Sequence, residues 1–414
     1  MRVTKSHGEI VNMRFGPRKM TLITRPDLVA LVLRDQAKKF KKPYRGFPAL
    51  NALIGNGLLS SDGDFWLRQR RLAQPAFHKE KIRAYGETMR LYTLRSLETM
   101  PAKLDLFEFW NTLTLEIVAK TLFNADIRGG QGSRVGHALE EALIANRAQM
   151  GQPIPLPLSI PLPGHKRLKA AIAELDSITL EMIAKERAEQ TEYSLLAMLV
   201  AATDTDGSQM TDEQLRDECL TLLLAGHETT ANALSWAVHL LLEHPKILKA
   251  ATEEARSVLG KEGCRLEDIA KLPLIKQIWL ETLRLYPPAW SIGRTALEDV
   301  QLGEYLIPKK QNIILSQYVT QRSPKYFENP DAFMPERWVE GYEKSLPDYA
   351  YFPFSAGPRV CIGNMFAEME GLILLSTVLS KVNFAKAENY KVEVYASLTM
   401  RPKDGVPVTA SRLG

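Results

Sequence analysis

Cys361 lies in the run Phe354-Ser355-Ala356-Gly357-Pro358-Arg359-Val360-Cys361-Ile362-Gly363. The spacing puts it at the start of a predicted helix, Ile362 to Lys381. The free N–H groups and dipole of a helix N-terminus favour a thiolate over a thiol. Gly357 and Gly363 allow a tight turn and the close approach of a flat ligand. Arg359 can reach an anionic group nearby. A cysteine by itself reads as a buried structural side chain. Phe, Gly, Arg, Cys and Gly at these spacings reverse that weighting.

A second polar group interrupts an apolar helix at Ala225-Gly226-His227-Glu228-Thr229-Thr230. Glycine lowers helix propensity, and a threonine hydroxyl can bond the carbonyl four residues back. Together they allow a local distortion, with room for a small ligand beside the helix. Glu228 beside Thr229 is an acid–alcohol pair suited to proton delivery. A zinc-protease reading fails, because HExxH needs a second histidine where Ala231 stands. Gly55-Asn56-Gly57 is only a fragment of a dinucleotide loop, without the third glycine. Glu281 and Arg284 are three residues apart on a helix, which by itself indicates only a surface ion pair. Trp66 and Arg70 lie one turn apart on one helix face.

These residues need a scaffold, and the chain reads as mostly helical with minor sheet at both ends of the sequence. Ile10 to Arg14 and Met20 to Thr24 flank a Gly16-Pro17 turn, as in a hairpin. Pro26 opens a helix through Leu33. Helical patterns follow from Trp66 to Met100 (broken at Pro75), from Leu104 to Leu122 and from Leu168 to Glu189. A proline-rich loop spans Gly151 to Gly164. Thr211 and Gln214 form a capping box that starts a long helix, stopped by Pro245 near His244. That helix is about 50 Å long at 1.5 Å per residue, and its apolar middle marks it as buried. Another helix runs from Leu274 to Leu285, ended by Pro287 and Pro288. Short strands are expected in Val300 to Leu315 and in Lys391 to Val408. No repeat or linker divides the chain, so one domain over residues 1–414 is expected.

The bulk numbers agree with an ordinary globular chain: 414 residues, 45% hydrophobic, 24% charged, net charge +5. No basic run interleaved with aromatics points to nucleic acid. Cys219, Cys264 and Cys361 show no CxxC pairing, so neither a disulfide framework nor a zinc ribbon is indicated. Met1 to Asn12 has no signal-peptide core. The most apolar segments fall far short of the roughly 20 residues that span a bilayer. The expectation is a soluble, cytoplasmic monomer without a membrane anchor.

Taken together, the motifs resemble the cytochrome P450 haem-thiolate monooxygenases, of the soluble bacterial type, along essentially the whole chain. The resemblance implies haem b, with Cys361 as the axial iron ligand of a thiolate-ligated haem. It implies that Phe354, Gly357 and Gly363 shape the cysteine loop, that Ala225 and Gly226 lie over the haem, and that Glu228 and Thr229 feed protons to dioxygen. It implies that Trp66, Arg70, Arg294 and Arg359 serve the haem propionates. It matches Glu281, Arg284 and Arg337 (of Pro335-Glu336-Arg337-Trp338) to a buried structural network under the cysteine loop. The implied substrate pocket is lined by Phe47, Leu50, Ile54, Leu59, Ala225, Ala289, Trp290, Ile292 and Leu398. It suits a large lipophilic molecule: a carotenoid, terpenoid, fatty acid or steroid. The stretch Leu283 to Trp290 is similar to members that hydroxylate long hydrocarbons. Lys41, Lys42 and Arg45 can hold a carboxylate at the entrance, although a solvated charge run is the preferred reading.

Family members usually carry an extra helix before the first strand pair, and eukaryotic ones a membrane anchor. No flavin or iron–sulfur segment follows Gly414, which implies a separate ferredoxin- or flavodoxin-type electron donor with its reductase. Two alternatives stand beside the monooxygenase. A haem peroxygenase using hydrogen peroxide would not need the acid–alcohol pair. A haem sensor or carrier would need no redox partner.

Overall fold

A computed structural model describes residues 8–15, 18–43, 48–127, 130–150, 156–190, 194–204, 206–388 and 390–412. The expected turn at Gly16 and Pro17, and Phe47 and Arg45, lie outside them. The chain is mainly helical, as the apolar periodicity requires. Its axis is the helix Asp212–Glu243. Thr211 caps it as read: its hydroxyl accepts the Gln214 N–H at 3.2 Å, and the Gln214 side chain accepts the Thr211 N–H at 3.1 Å. Pro245 cannot continue the helix and opens the next one, Pro245–Val258. The middle of the central helix is buried nearly all round, against Leu106–Phe123 and Asn364–Lys381.

The central helix is regular through Gly226 and Thr230. Neighbours pack against it here: Thr114 donates its hydroxyl to the His227 carbonyl at 3.1 Å, and Val118 packs where a Gly226 side chain would point. Thr229 donates to the Ala225 carbonyl at 2.7 Å, the expected four-residue back-bond.

The main sheet has five strands in the order Ile10–Phe15, Arg18–Ile23, Asn312–Leu315, Ile292–Ala296 and Phe40–Lys41. The first two form the expected antiparallel hairpin, and Arg18–Ile23 runs parallel to Asn312–Leu315. A smaller sheet joins Lys103–Asp105, Pro407–Arg412 and Val382–Lys386. The sequence pattern places Leu104 and Asp105 within a helix. Residues 103–105 instead pair with Pro407 to Thr409, and Asp105 then caps the helix by accepting the Phe107 and Glu108 N–H groups. Val394–Ala396 and Met400–Pro402 make a hairpin whose tip, Ser397 to Thr399, reaches the central helix. The helices share one large hydrophobic core, and a second cluster lies under the five-stranded sheet. Among the described residues no helix is long and apolar enough to cross a membrane.

Candidate active site

The cysteine loop is set by backbone geometry. Cys361 donates its N–H to the Phe354 carbonyl at 2.9 Å, closing the loop. Gly357 has φ +66°, and a side chain there would overlap the Leu33 carbonyl oxygen. Glycine is therefore required by conformation and by close approach alike. Asn364–Lys381 follows as the predicted helix. Cys361 keeps accessible surface, whereas Cys219 and Cys264 are buried. Burial is the main influence on the Cys361 thiol. Burial pushes it up, outweighing the Gly363 N–H and Arg70, which favour the thiolate. Desolvation costs a charge more than one helix end returns. A coordinating cation would restore the thiolate, because a metal-bound thiol is deprotonated outright.

Accessible surface recurs in otherwise buried elements at Ala225 and Gly226 of the central helix, and at Ala289 beyond Leu285. Trp290, Ile292 and Leu398 are half-buried and Leu59 is exposed. Leu50 and Ile54 belong to the core, and Ile54 has no accessible surface to offer a ligand. Trp290 donates its indole N–H to the Ser397 carbonyl at 2.8 Å, which fixes the hairpin that carries Leu398.

Glu228 is buried and turned toward that hairpin. Thr399 donates its hydroxyl to Glu228 Oε1 at 2.8 Å, and Asn232 donates to Thr399 at 3.3 Å. Neither partner was found from the sequence. His227 is held neutral by burial and engages the Leu223 carbonyl at 2.7 Å. A further acid was also missed. Glu370, on the cysteine helix, is fully buried beside Thr230, whose hydroxyl favours the carboxylate less than burial opposes it. Burial pushes it up to about 8.

Cations gather beside the loop. Arg294 is 7% exposed, hydrogen-bonds only the Gly293 carbonyl among the described residues, and is pushed down to about 10 by burial and by Arg359. Arg70 donates to Gln74 and to the Val360 carbonyl at 2.9 Å. Arg359 lies over the Trp66 ring at 4.1 Å, donates to the Ser61 carbonyl and pairs with Asp62. Asp62 gave no sequence signal. Lys42 is mostly buried, with its ammonium on the Leu58 and Leu59 carbonyls at 2.7 Å each. It does not belong to a solvated charge run; Lys41 does face solvent. Positive groups outnumber carboxylates here, in a partly buried place where an external anion would relieve them.

Glu281 is the hub beneath the loop. It accepts two bonds from Arg284 at 2.8 Å, one from Arg337 at 3.1 Å, one from the Trp338 indole at 2.8 Å and one from the Met334 N–H at 3.0 Å. Arg284 also reaches the Gln321, Pro330 and Ala332 carbonyls. The Gln321 side chain accepts the Phe352 N–H at 3.0 Å, which links the hub to the approach to Cys361.

A model of the family described as Cytochrome P450 matches residues 1–405. Cyclooctatin synthase of Streptomyces melanosporofaciens is 32% identical over 99% of this chain and 88% of its own length. Pentalenene oxygenase of Streptomyces avermitilis is 30% identical over 91% of this chain and 84% of its own. The crystal structure of the cytochrome P450DA heme domain superposes with a TM-score of 0.90 at 26% identity, covering 99% of this chain and 91% of that one.

Proposed function

This chain belongs to the cytochrome P450 family, and we propose that it oxygenates a terpenoid, with Cys361 as the sulfur that holds the haem iron. Monooxygenase activity and haem b come with the family. The observation that carries the site assignment is the accessible surface of Cys361, which neither other cysteine shares. Two relatives are named for the terpenoids cyclooctatin and pentalenene, which supports the substrate class.

The donor set fits haem b: one sulfur, and guanidinium groups in excess of carboxylates. Bound there, haem supplies the iron at which dioxygen is activated. Arg70, Arg294 and Arg359 would hold its propionates, with Trp66 supporting Arg359. Ala225 and Gly226 leave space beside the central helix. Ala289, Trp290, Ile292, Leu398 and Leu59 supply apolar surface that excludes water and orients a hydrocarbon. Thr229 holds a hydroxyl on the central helix, and Glu228 is the adjacent proton source, steadied by Thr399. The electrons would come from a separate ferredoxin- or flavodoxin-type donor with its reductase. The enzyme would act as a cytoplasmic monomer.

The reduced protein under carbon monoxide should show the strongly red-shifted Soret band of thiolate ligation; its absence overturns the site assignment. Terpene hydrocarbons should shift the ferric spectrum from low to high spin. Thr229→Ala should lower product formed per electron consumed by roughly 10²-fold, the usual scale of a lost proton-transfer group, with the electrons appearing as peroxide. Unchanged coupling would rule out the proton-delivery role.

A further inference from the structure

Residues 55–62 connect the helices Pro48–Ile54 and Gly63–Ala73. They have no helix or strand of their own, yet buried charges grip them from three sides. On the central helix, Asp217 accepts the Asn56 N–H at 2.7 Å. Beside it, Glu218 Oε2 accepts the Leu58 N–H at 3.0 Å, and its other oxygen accepts from Gln69 at 3.2 Å. Side chains at Gly55 or Gly57 would overlap Asp217 and Thr221, and Gly55 has φ +53°. The Gly-Asn-Gly fragment is therefore a seat for carboxylates of this same chain.

From the opposite side Lys42 donates its ammonium to the Leu58 and Leu59 carbonyls. Leu58 is thus held at its N–H by an acid and at its C=O by a base. The grip continues along the segment. The Lys42 N–H donates to Asp62 Oδ2 at 2.9 Å, and Asp62 Oδ1 pairs with Arg359. Burial raises Glu218 to about 7 and lowers Lys42 to about 7. Two ionisable groups so desolvated, spent on backbone atoms, are costly unless the segment must be held in one place.

We propose that Lys42 and Glu218 are positioning residues, which fix residues 58–62 so that Asp62 presents the Arg359 guanidinium to a haem propionate. The proposal rests on the reading of Arg359 as a propionate partner.

The test is haem loss from the ferric holoenzyme to excess apomyoglobin, with amide hydrogen exchange over residues 55–62. Lys42→Met and Glu218→Leu should each speed haem loss about tenfold, the scale of one charge-assisted contact, and speed exchange at Leu58 and Leu59. Glu218→Gln keeps an oxygen for the Leu58 N–H and should stay within about twofold of the parent. The double variant should lose haem no faster than the worse single one, because both act on one segment. Unchanged haem loss and exchange in Lys42→Met overturns the proposal, even if Glu218→Leu fails to fold. Arg359→Ala separates the two readings. If it leaves haem loss unchanged while Lys42→Met still loosens residues 55–62, the propionate role of Arg359 fails but the grip stands.

Discussion

Replacing Glu281 by alanine should cost about 3–5 kcal/mol, the range for removing one partner from a buried ion pair. Total stabilities of about 5–15 kcal/mol leave little reserve against such a loss. Glu281 and Arg284 have no side-chain exposure, and Arg337 is nearly as enclosed. Without the carboxylate, two guanidinium groups face each other across a dry interior. Arg284 keeps its three carbonyl acceptors and the Phe327 ring at 5.1 Å. None of these carries a full negative charge.

Glu281→Gln is the sharper variant. It keeps the shape but turns an amide NH2 toward donors that already crowd the site. It should fall close to the alanine variant. Urea midpoints of the holoprotein and haem content per chain measure the loss. A glutamine variant within about 1 kcal/mol of the parent would show that the charge is dispensable. Haem content should fall with stability, because Gln321 ties Arg284 to Phe352, and Tyr351 donates to the Leu280 carbonyl at 3.2 Å.

The sequence pattern and the structure agree where the physics is local. Thr211 and Gln214 cap a helix by touching each other, and Pro245 stops it by its own geometry. The Phe354 to Gly363 run closes on itself through one backbone bond. Agreement fails where partners are distant. Residues 103–105 become a strand only because Pro407 to Thr409 lie alongside. The helix Gly130–Met150 escaped notice because glycines at Gly130, Gly132 and Gly136 blur its start. Within the site, Asp62 pairs with Arg359, Thr399 with Glu228, and Glu218 with Leu58, all across long stretches of chain. A single acid in a turn leaves no period to read. At Gly226 the same rule runs in reverse: local propensity allows a distortion, and the helix continues unbroken with Val118 and Thr114 packed against it.

Cys361→Ser should abolish the red-shifted carbon monoxide band and all oxygenation, while leaving the polypeptide folded. The Cys361 sulfur accepts no side-chain hydrogen bond, and the loop is closed by its N–H, which serine retains. A serine hydroxyl is far too weak an acid to replace a thiolate on iron, so the electron release of sulfur ligation is lost. The cations around Arg294 and Arg359 should still bind haem, more weakly, and far-UV circular dichroism should match the parent. Cys219→Ser and Cys264→Ser supply the contrast. Burial pushes both thiols up, Cys264 to about 11, and each lies in the helical core. These variants should retain the band and cost only stability, about 1–3 kcal/mol for a buried hydroxyl without full hydrogen bonding. A retained band in Cys361→Ser, or its loss in either core variant with the fold intact, would move the ligand to another sulfur. The three substitutions change the same atom, so the difference among them isolates position. Only the cysteine that keeps accessible surface should control the spectrum.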